Sequence, residues 1–163
     1  MYDDIKMNWR DYSVHDENNI KGFFGEYRWL SNFHRCEILY ENLIFPTSEN
    51  AYQGAKIILE ERKKFVEITA YDSKKFWREY TPIDKNSEEW DNRKYDVMYN
   101  ILSYKFSHNE DLKNKLINTG DKYLEETNHW EDTYWGVDYK LGGENNLGKI
   151  LMKIRSELKN EIL

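Results

Sequence analysis

Cys36-Glu-Ile-Leu-Tyr40, Glu41-Asn42, Leu43-Ile-Phe45, Pro46 and Thr47-Ser-Glu-Asn-Ala-Tyr-Gln53 follow one another without a break, and the change of pattern inside this stretch decides the fold class. Its first part places β-branched and aromatic residues on either side of two turn-forming residues, which predicts an antiparallel hairpin. Beyond Pro46, Thr47 or Ser48 offers a hydroxyl to cap a helix predicted over about residues 49–64. On that helix Glu49, Tyr52, Gln53 and Lys56 fall within a sector of roughly 100°, with Ala51, Ala55, Ile58 and Leu59 on the other side. Spacing leaves two readings of the sector open. It is a solvated polar face, or it carries an acid and an amine that both reach a ligand lying against the helix.

Downstream, Asn86 with Glu89 resembles a capping box for a helix running to about Phe106, and Ser107 with Glu110 repeats the pattern for a shorter helix closed by Gly120. Trp90, Val97, Met98, Ile101 and Leu102 share one face of the first of these, and Lys105 falls on it too. Desolvating an unpaired ammonium costs several kcal/mol, so Lys105 must snorkel to water, meet a carboxylate, or face a pocket that receives an anion. Residues 121–144 carry Gly136, Gly142 and Gly143 among Trp130, Trp135 and Tyr139, which predicts irregular structure with a short strand, the kind of segment that carries function. A last helix, about residues 146–160, aligns Leu147, Ile150, Leu151, Ile154 and Leu158 on one stripe. Upstream, residues 1–21 are polar and read as an arm or lead-in to a domain over 22–163. The sum is an α+β fold: one mostly helical domain with a small β-sheet built from the early strands and the loop-rich middle.

Composition narrows the functional classes. With 24 Lys and Arg against 30 Asp and Glu, the net charge of −6 argues against broad, sequence-independent clamping of a polyanion while leaving room for a local basic pocket. The longest uncharged run, Val97 to Tyr104, is eight residues, far short of the roughly 18 that cross a bilayer. The N-terminus lacks the pattern of a secretory signal, so a cytoplasmic location is expected. A single cysteine, Cys36, and four histidines without supporting neighbours (His15, His34, His108, His129) point away from disulfides, metal sites and nucleophilic acyl transfer, and no cofactor is expected. Two glycine-bearing segments stay open to two readings each. Gly142-Gly-Glu-Asn-Asn-Leu-Gly148 presents backbone N–H groups to a phosphate or simply begins a capped helix, matching neither established nucleotide-loop pattern. Asp132-Thr-Tyr-Trp-Gly136 sets an acid beside an aromatic platform or uses Asp as a turn former.

Taken in order, Leu30-Ser-Asn-Phe33, Thr47-Ser-Glu-Asn-Ala-Tyr-Gln53 with Lys56, Trp90, Val97-Met98, Lys105-Phe106, Thr119-Gly120, Glu125, Asp132 with Trp135-Gly136, Gly143, Asn145, Leu147-Gly148, Leu151-Met152 and Arg155 resemble the NADAR family over about residues 22–158. Two positions depart from it: Asn50 stands where the family usually has His, and Asp138 where a glycine is common after the Trp-Gly pair. The resemblance implies an N-glycosidase that hydrolyses the C1′–N bond of a phosphorylated ribosyl or ADP-ribosyl compound, removing ADP-ribose from guanine bases or cleaving ribosylamino intermediates of the riboflavin pathway. Such cleavage develops oxocarbenium character at C1′ and needs a carboxylate near that carbon. The resemblance gives that role to Glu49. It gives Lys56 either the orientation of sugar and phosphate by charge or attack on C1′ to form a Schiff base, and Asp132 the holding of a ribose hydroxyl or of water. Trp90 and Trp135 would stack on the base or wall the pocket. Asn32, Gln53, Gly136 and Asn145 would contact substrate, with Lys105, Arg155 and the N–H groups around Gly148 near phosphate. The expected partner is a nucleotide-like small molecule or ADP-ribosylated guanine in nucleic acid, without a membrane or strong non-specific nucleic-acid binding. The alternative is a non-catalytic module that binds NAD or ADP-ribose through the same pocket. Trp9, Trp29, Trp77 and Trp130 carry no stronger expectation than packing or surface contact.

Overall fold

A computed structural model describes residues 7–162. Along the chain come β1 (Val14–His15), β2 (Asn19–Lys21), β3 (Arg35–Tyr40), β4 (Leu43–Thr47), α1 (Ser48–Gly54), α2 (Leu59–Arg62), α3 (Lys64–Glu67), α4 (Ala70–Phe76), α5 (Ser87–Ser107), α6 (Glu110–Asn118), β5 (Tyr123–Glu125), β6 (Thr127–Asn128), β7 (Val137–Asp138) and α7 (Asn146–Ile162). The fold is α+β and mostly helical, as expected. No helix among the described residues is long and apolar enough to cross a membrane.

The chain forms two compact units, one from the residues up to Ser31 with Thr119–Lys153, the other from Asn32–Asn118 with the residues from Ile154 on. In the first, β2 lies between β1, antiparallel, and β5, parallel, so the sheet is held by a pairing about a hundred residues apart in sequence. Of the expected lead-in, residues 1–6 lie outside the described residues. The rest supplies β1 and β2, and Ile20 is 1% exposed. Polar neighbours hid one buried isoleucine.

In the second unit β3 and β4 form the expected hairpin as a two-stranded sheet of their own. Its turn residues Glu41 and Asn42 sit at φ 44° and 66°, the left-handed pair that a two-residue hairpin loop requires. Ile38 and Phe45 pair across the strands and are both fully buried. Leu39 and Ile44, the next pair, face outward and are exposed.

The helix expected over 49–64 ends at Gly54. Gly54 packs so tightly on Phe45 that a Cβ there would lie 2.9 Å from the ring. Beyond it the two isoleucines adopt extended pairing, which suits β-branched side chains. Ile57 bridges Pro82, Ile58 N donates to Thr81 O at 3.0 Å, and Ile83 N donates to Lys56 O at 2.8 Å. Buried Arg62 then ties this region together by donating to Ile57 O and to the carboxylate of Glu41. Two caps also differ from expectation. Asn86 does cap α5 by accepting from Glu89 N, but the Glu89 carboxylate accepts from Lys85 N. The residue capping α6 is Asn109, which accepts from Leu112 N, because the Ser107 hydroxyl is already spent on Ser103 O. Gly120 follows α6 at φ 65°, as expected.

Candidate active site

Every residue of α1, Ser48 through Gly54, is buried, and Lys56 just beyond it is 9% exposed. The solvated-face reading of Glu49, Tyr52, Gln53 and Lys56 is therefore overturned: the helix is enclosed because β4, α3, α4 and α5 all pack on it. Thr47 caps its start by accepting from Asn50 N. The Asn50 amide nitrogen donates to Phe65 O at 2.9 Å and Ile68 O at 2.8 Å, and its oxygen accepts from the Thr47 hydroxyl. Asn50 thus holds the connection after α3 against the start of α1.

Glu49, one residue earlier, is built differently. It is 6% exposed, its backbone N donates to Asn32 O at 3.0 Å, and its Oε1 accepts from Gln53 Nε2 at 2.7 Å, one helical turn away. The Gln53 Oε1 and Asn32 Oδ1 atoms are buried without a hydrogen-bond partner. Leaving a buried acceptor unmade costs about 1–3 kcal/mol, so stability alone does not favour this arrangement. Asn32 Nδ2 finds only the Met98 sulfur, at 3.5 Å.

The Lys56 ammonium sits among three aromatic rings: Trp77 at 4.1 Å from its centroid, Tyr52 at 5.1 Å and Trp90 at 5.4 Å. Burial lowers its pKa from 10.5 to about 8; the Glu49 carboxylate opposes the shift, and Arg78, Lys74 and Lys94 add to it by repulsion. Tyr52 and Trp90 also touch each other, with centroids 5.3 Å apart. Arg93 packs over Trp90, forks onto Asp84 through Nε and Nη2 at 2.8 and 2.7 Å, and donates to Ala55 O at 2.8 Å. It fastens the start of α5 to the end of α1 and thereby holds Trp90 in place.

Trp77 escapes sequence reading. It lies in a 3-10 turn, Trp77–Glu79, after a helical pattern that has broken several times, so no periodicity links it to Lys56. Arg78 and the exposed Lys74 are missed for the same reason. The expected Lys105 is 1% exposed, which excludes snorkelling; it lies by Phe106 and close enough to Cys36 to oppose the rise that burial imposes on that thiol. Arg155, in the same unit, is buried as well.

Asp132, Trp135, Gly136, Asn145 and Gly148 belong to the other unit, where each has a local structural task. Asp132 Oδ1 accepts from Trp135 N at 2.9 Å, the turn-forming geometry. Asn145, at φ 54°, donates through Nδ2 to Leu124 O and the Tyr123 hydroxyl and accepts from Glu126 N. A Cβ on Gly136 would lie 2.3 Å from Glu126 O, and one on Gly148 would lie 2.1 Å from Leu124 O. Asp138, the departure after Trp135-Gly136, accepts from Glu131, Lys140 and Leu141 backbone N–H groups, which hold its carboxyl below the usual range.

The model of the NADAR domain family matches residues 17–159. A riboflavin biosynthesis protein from Vibrio vulnificus is 32% identical over 163 aligned residues, which cover 96% of this chain and 41% of that protein. The chain thus spans less than half the length of that relative. The N-glycosidase YbiA of Escherichia coli is 30% identical over 140 residues, covering 83% of this chain and 84% of YbiA. The NMR structure of Escherichia coli YbiA matches with a TM-score of 0.76 at 28% identity, covering 94% of this chain and 92% of that one. A family model that spans most of the chain, and relatives and a solved structure that agree with it, place one conclusion beyond the local geometry: the chain belongs to the NADAR family.

Proposed function

We propose that this chain is an N-glycosidase that hydrolyses the C1′–N bond of a phosphorylated ribosyl or ADP-ribosyl compound in the cytoplasm. Removal of ADP-ribose from guanine and cleavage of a ribosylamino intermediate of riboflavin synthesis are the two candidate reactions. The observation that carries the reading is a buried amine, Lys56, enclosed by Tyr52, Trp77 and Trp90 and coupled to the buried carboxylate Glu49. Relatives that share most of this chain's length are named N-glycosidases, and that class of chemistry suits these groups.

As the base departs, positive charge grows at C1′ and on the ring oxygen, and a carboxylate in a poorly hydrated site stabilises it far more than one in water. Glu49 supplies that charge, and its bond from Gln53 fixes its direction. With a pKa of about 8, Lys56 is about one-tenth neutral at pH 7, enough for the amine to attack C1′: the Nζ–C1′ bond forms as C1′–N breaks, the base leaves with the bonding pair, and Glu49 takes the amine's proton and passes it to the base. Ring opening then gives an imine that water hydrolyses to free sugar and Lys56. The unpartnered Gln53 Oε1 and Asn32 Oδ1 are acceptors suited to ribose hydroxyls. Trp90 offers a flat face to the base, and Lys105 and Arg155 balance the charge of phosphate. The resemblance gives Asp132 a catalytic role, holding a ribose hydroxyl or positioning water, and Trp135, Gly136, Asn145 and Gly148 substrate contact; kinetics of single substitutions tests each of these expectations.

Release of free base from ADP-ribosylated guanine oligonucleotides and from ribosylaminopyrimidine phosphates, followed by chromatography, tests the reading. Wild type is expected to turn over one of the two and Glu49→Gln neither. Borohydride during turnover is expected to fix a sugar on Lys56; turnover without an adduct restricts Lys56 to orienting the substrate by charge. Tight ADP-ribose binding with no product from either compound would replace the enzyme with a binding module.

A further inference from the structure

Two cations share the Trp77 indole: Lys56 Nζ lies 4.1 Å from its centroid and Arg78 Cζ lies 4.6 Å from it. At most about 9 Å therefore separates them. Their surroundings differ. Lys56 is buried and has Glu49 as a neighbouring charge, whereas Arg78 is exposed and has no carboxylate partner among the described residues. Of the other cations whose charge reaches or borders this site, Lys74 lies over the Phe33 ring and two are paired with carboxylates. Arg93 is forked onto Asp84, and Lys94 Nζ lies 2.6 Å from Asp91. A guanidinium held against an indole loses freedom in advance, and its planar N–H fork matches the oxygens of a phosphate, which it grips through two parallel bonds.

We propose that Arg78 is a specificity-determining residue that binds the 5′-phosphate of the ribose whose C1′ faces Lys56. The inference rests on the reading of Lys56 as the group at C1′. Trp77 then sets the spacing: it holds the amine for the reacting carbon and the guanidinium for the phosphate on one rigid ring, and a ribose 5-phosphate spans the distance between them. A dianion placed there also offsets the repulsion that Arg78, Lys74 and Lys94 exert on Lys56. Phosphate on the same sugar becomes a condition for good binding, and an unphosphorylated nucleoside is a poor substrate.

The test has a binding arm and a turnover arm, both on the full chain. Calorimetry with ribose 5-phosphate and with ribose reads the phosphate contribution without any reaction. Wild type is expected to prefer ribose 5-phosphate, Arg78→Gln to lose about ten- to hundredfold of that preference, and Arg78→Lys to recover only part of it, because the ammonium keeps the charge and loses the fork. Arg78 is exposed, so neither substitution opens the core. In turnover, Arg78→Gln is expected to raise KM for the phosphorylated ribosylaminopyrimidine about tenfold or more beyond any change for its dephosphorylated counterpart. Equal effects on both compounds, or an Arg78→Gln variant that still prefers ribose 5-phosphate as wild type does, would overturn the assignment. Should wild type hydrolyse neither compound yet bind ribose 5-phosphate through Arg78, the phosphate assignment stands and the glycosidase reading falls.

Discussion

The α1 segment and the loops between β5 and α7 are both rich in buried polar groups, and they use them in opposite ways. In the loops many polar groups are consumed locally: half-buried Asp132 and buried Asp138 and Asn145 accept from backbone N–H groups, and the Asn128 amide donates to Asp132 O. Around α1 the Gln53 and Asn32 oxygens stay without hydrogen-bond partners, and the Lys56 amine is held among aromatic rings with its pKa lowered by burial. Satisfied polar groups specify a loop, whereas buried acceptors without partners cost stability, and the proposed function gives those of Gln53 and Asn32 a use.

The sharpest way to break this contrast is to remove the groups proposed to react. Lys56→Met and Glu49→Gln are each expected to lower kcat/KM by about a thousandfold or more, in the range seen for positioned acid, base and nucleophile groups. Neither should cause a comparable loss of stability, which a urea titration beside the kinetics checks. The loops should behave the other way round. Gly148→Ala drives a methyl into Leu124 O and the Asn145 amide, a clash with backbone that cannot swing aside, and is expected to cost about 3 kcal/mol or more. Gly120→Ala is its control: φ is 65° but nothing lies within 4 Å, so only the left-handed backbone is penalised, by about 1–2 kcal/mol. Equal losses at the two glycines would show that close approach is not what the loop glycine provides.

A pH titration of stability sharpens the α1 side. Burial holds Lys56 near 8 when folded against 10.5 when exposed, so between these values the unfolded chain binds the extra proton. Stability is therefore expected to rise with pH through the 8–10.5 window, by an amount on the order of 3 kcal/mol, and the full cost of the buried ammonium is felt below pH 8. Subtracting the same titration for Lys56→Met isolates this group from the tyrosines; a difference that stays flat from pH 7.5 to 10 would mean that Lys56 is hydrated after all.

Much of this is legible in the sequence. The hairpin, the Thr47 cap, α5 and α7 follow from turn residues, caps and periodic stripes, which act over a few residues and so leave a local trace. The ordered motifs brought Glu49, Gln53, Lys56 and Trp90 forward. What stayed hidden was set by distant partners. Phe45 leaves no room for a Cβ at Gly54, α1 gives way to extended backbone where Ile57 and Ile58 pair with Pro82 and Thr81, and β2 pairs with β5 about a hundred residues away. Trp77 reaches Lys56 through a chain of short helices that no period describes. The Trp77 position thus reads as ordinary packing, although its ring is the nearest of the three to Nζ.

Asn50 carries the comparison inside α1 itself. It is as buried as Glu49, one residue away, yet its amide is fully used: it donates to Phe65 O and Ile68 O and accepts from Thr47. By the rule drawn from the loops, a satisfied group is structural, although this is the position where the family usually has a histidine. Asn50→His leaves a ring that donates from at most two fixed nitrogens in a site shaped for an amide, so one of the two carbonyl bonds is expected to fail. The loss should be about 1 kcal/mol of stability, with kcat within a fewfold of wild type. If instead kcat rose tenfold or more while stability held, the imidazole would be taking part in the reaction, and Asn50 would mark a step that this chain performs without it.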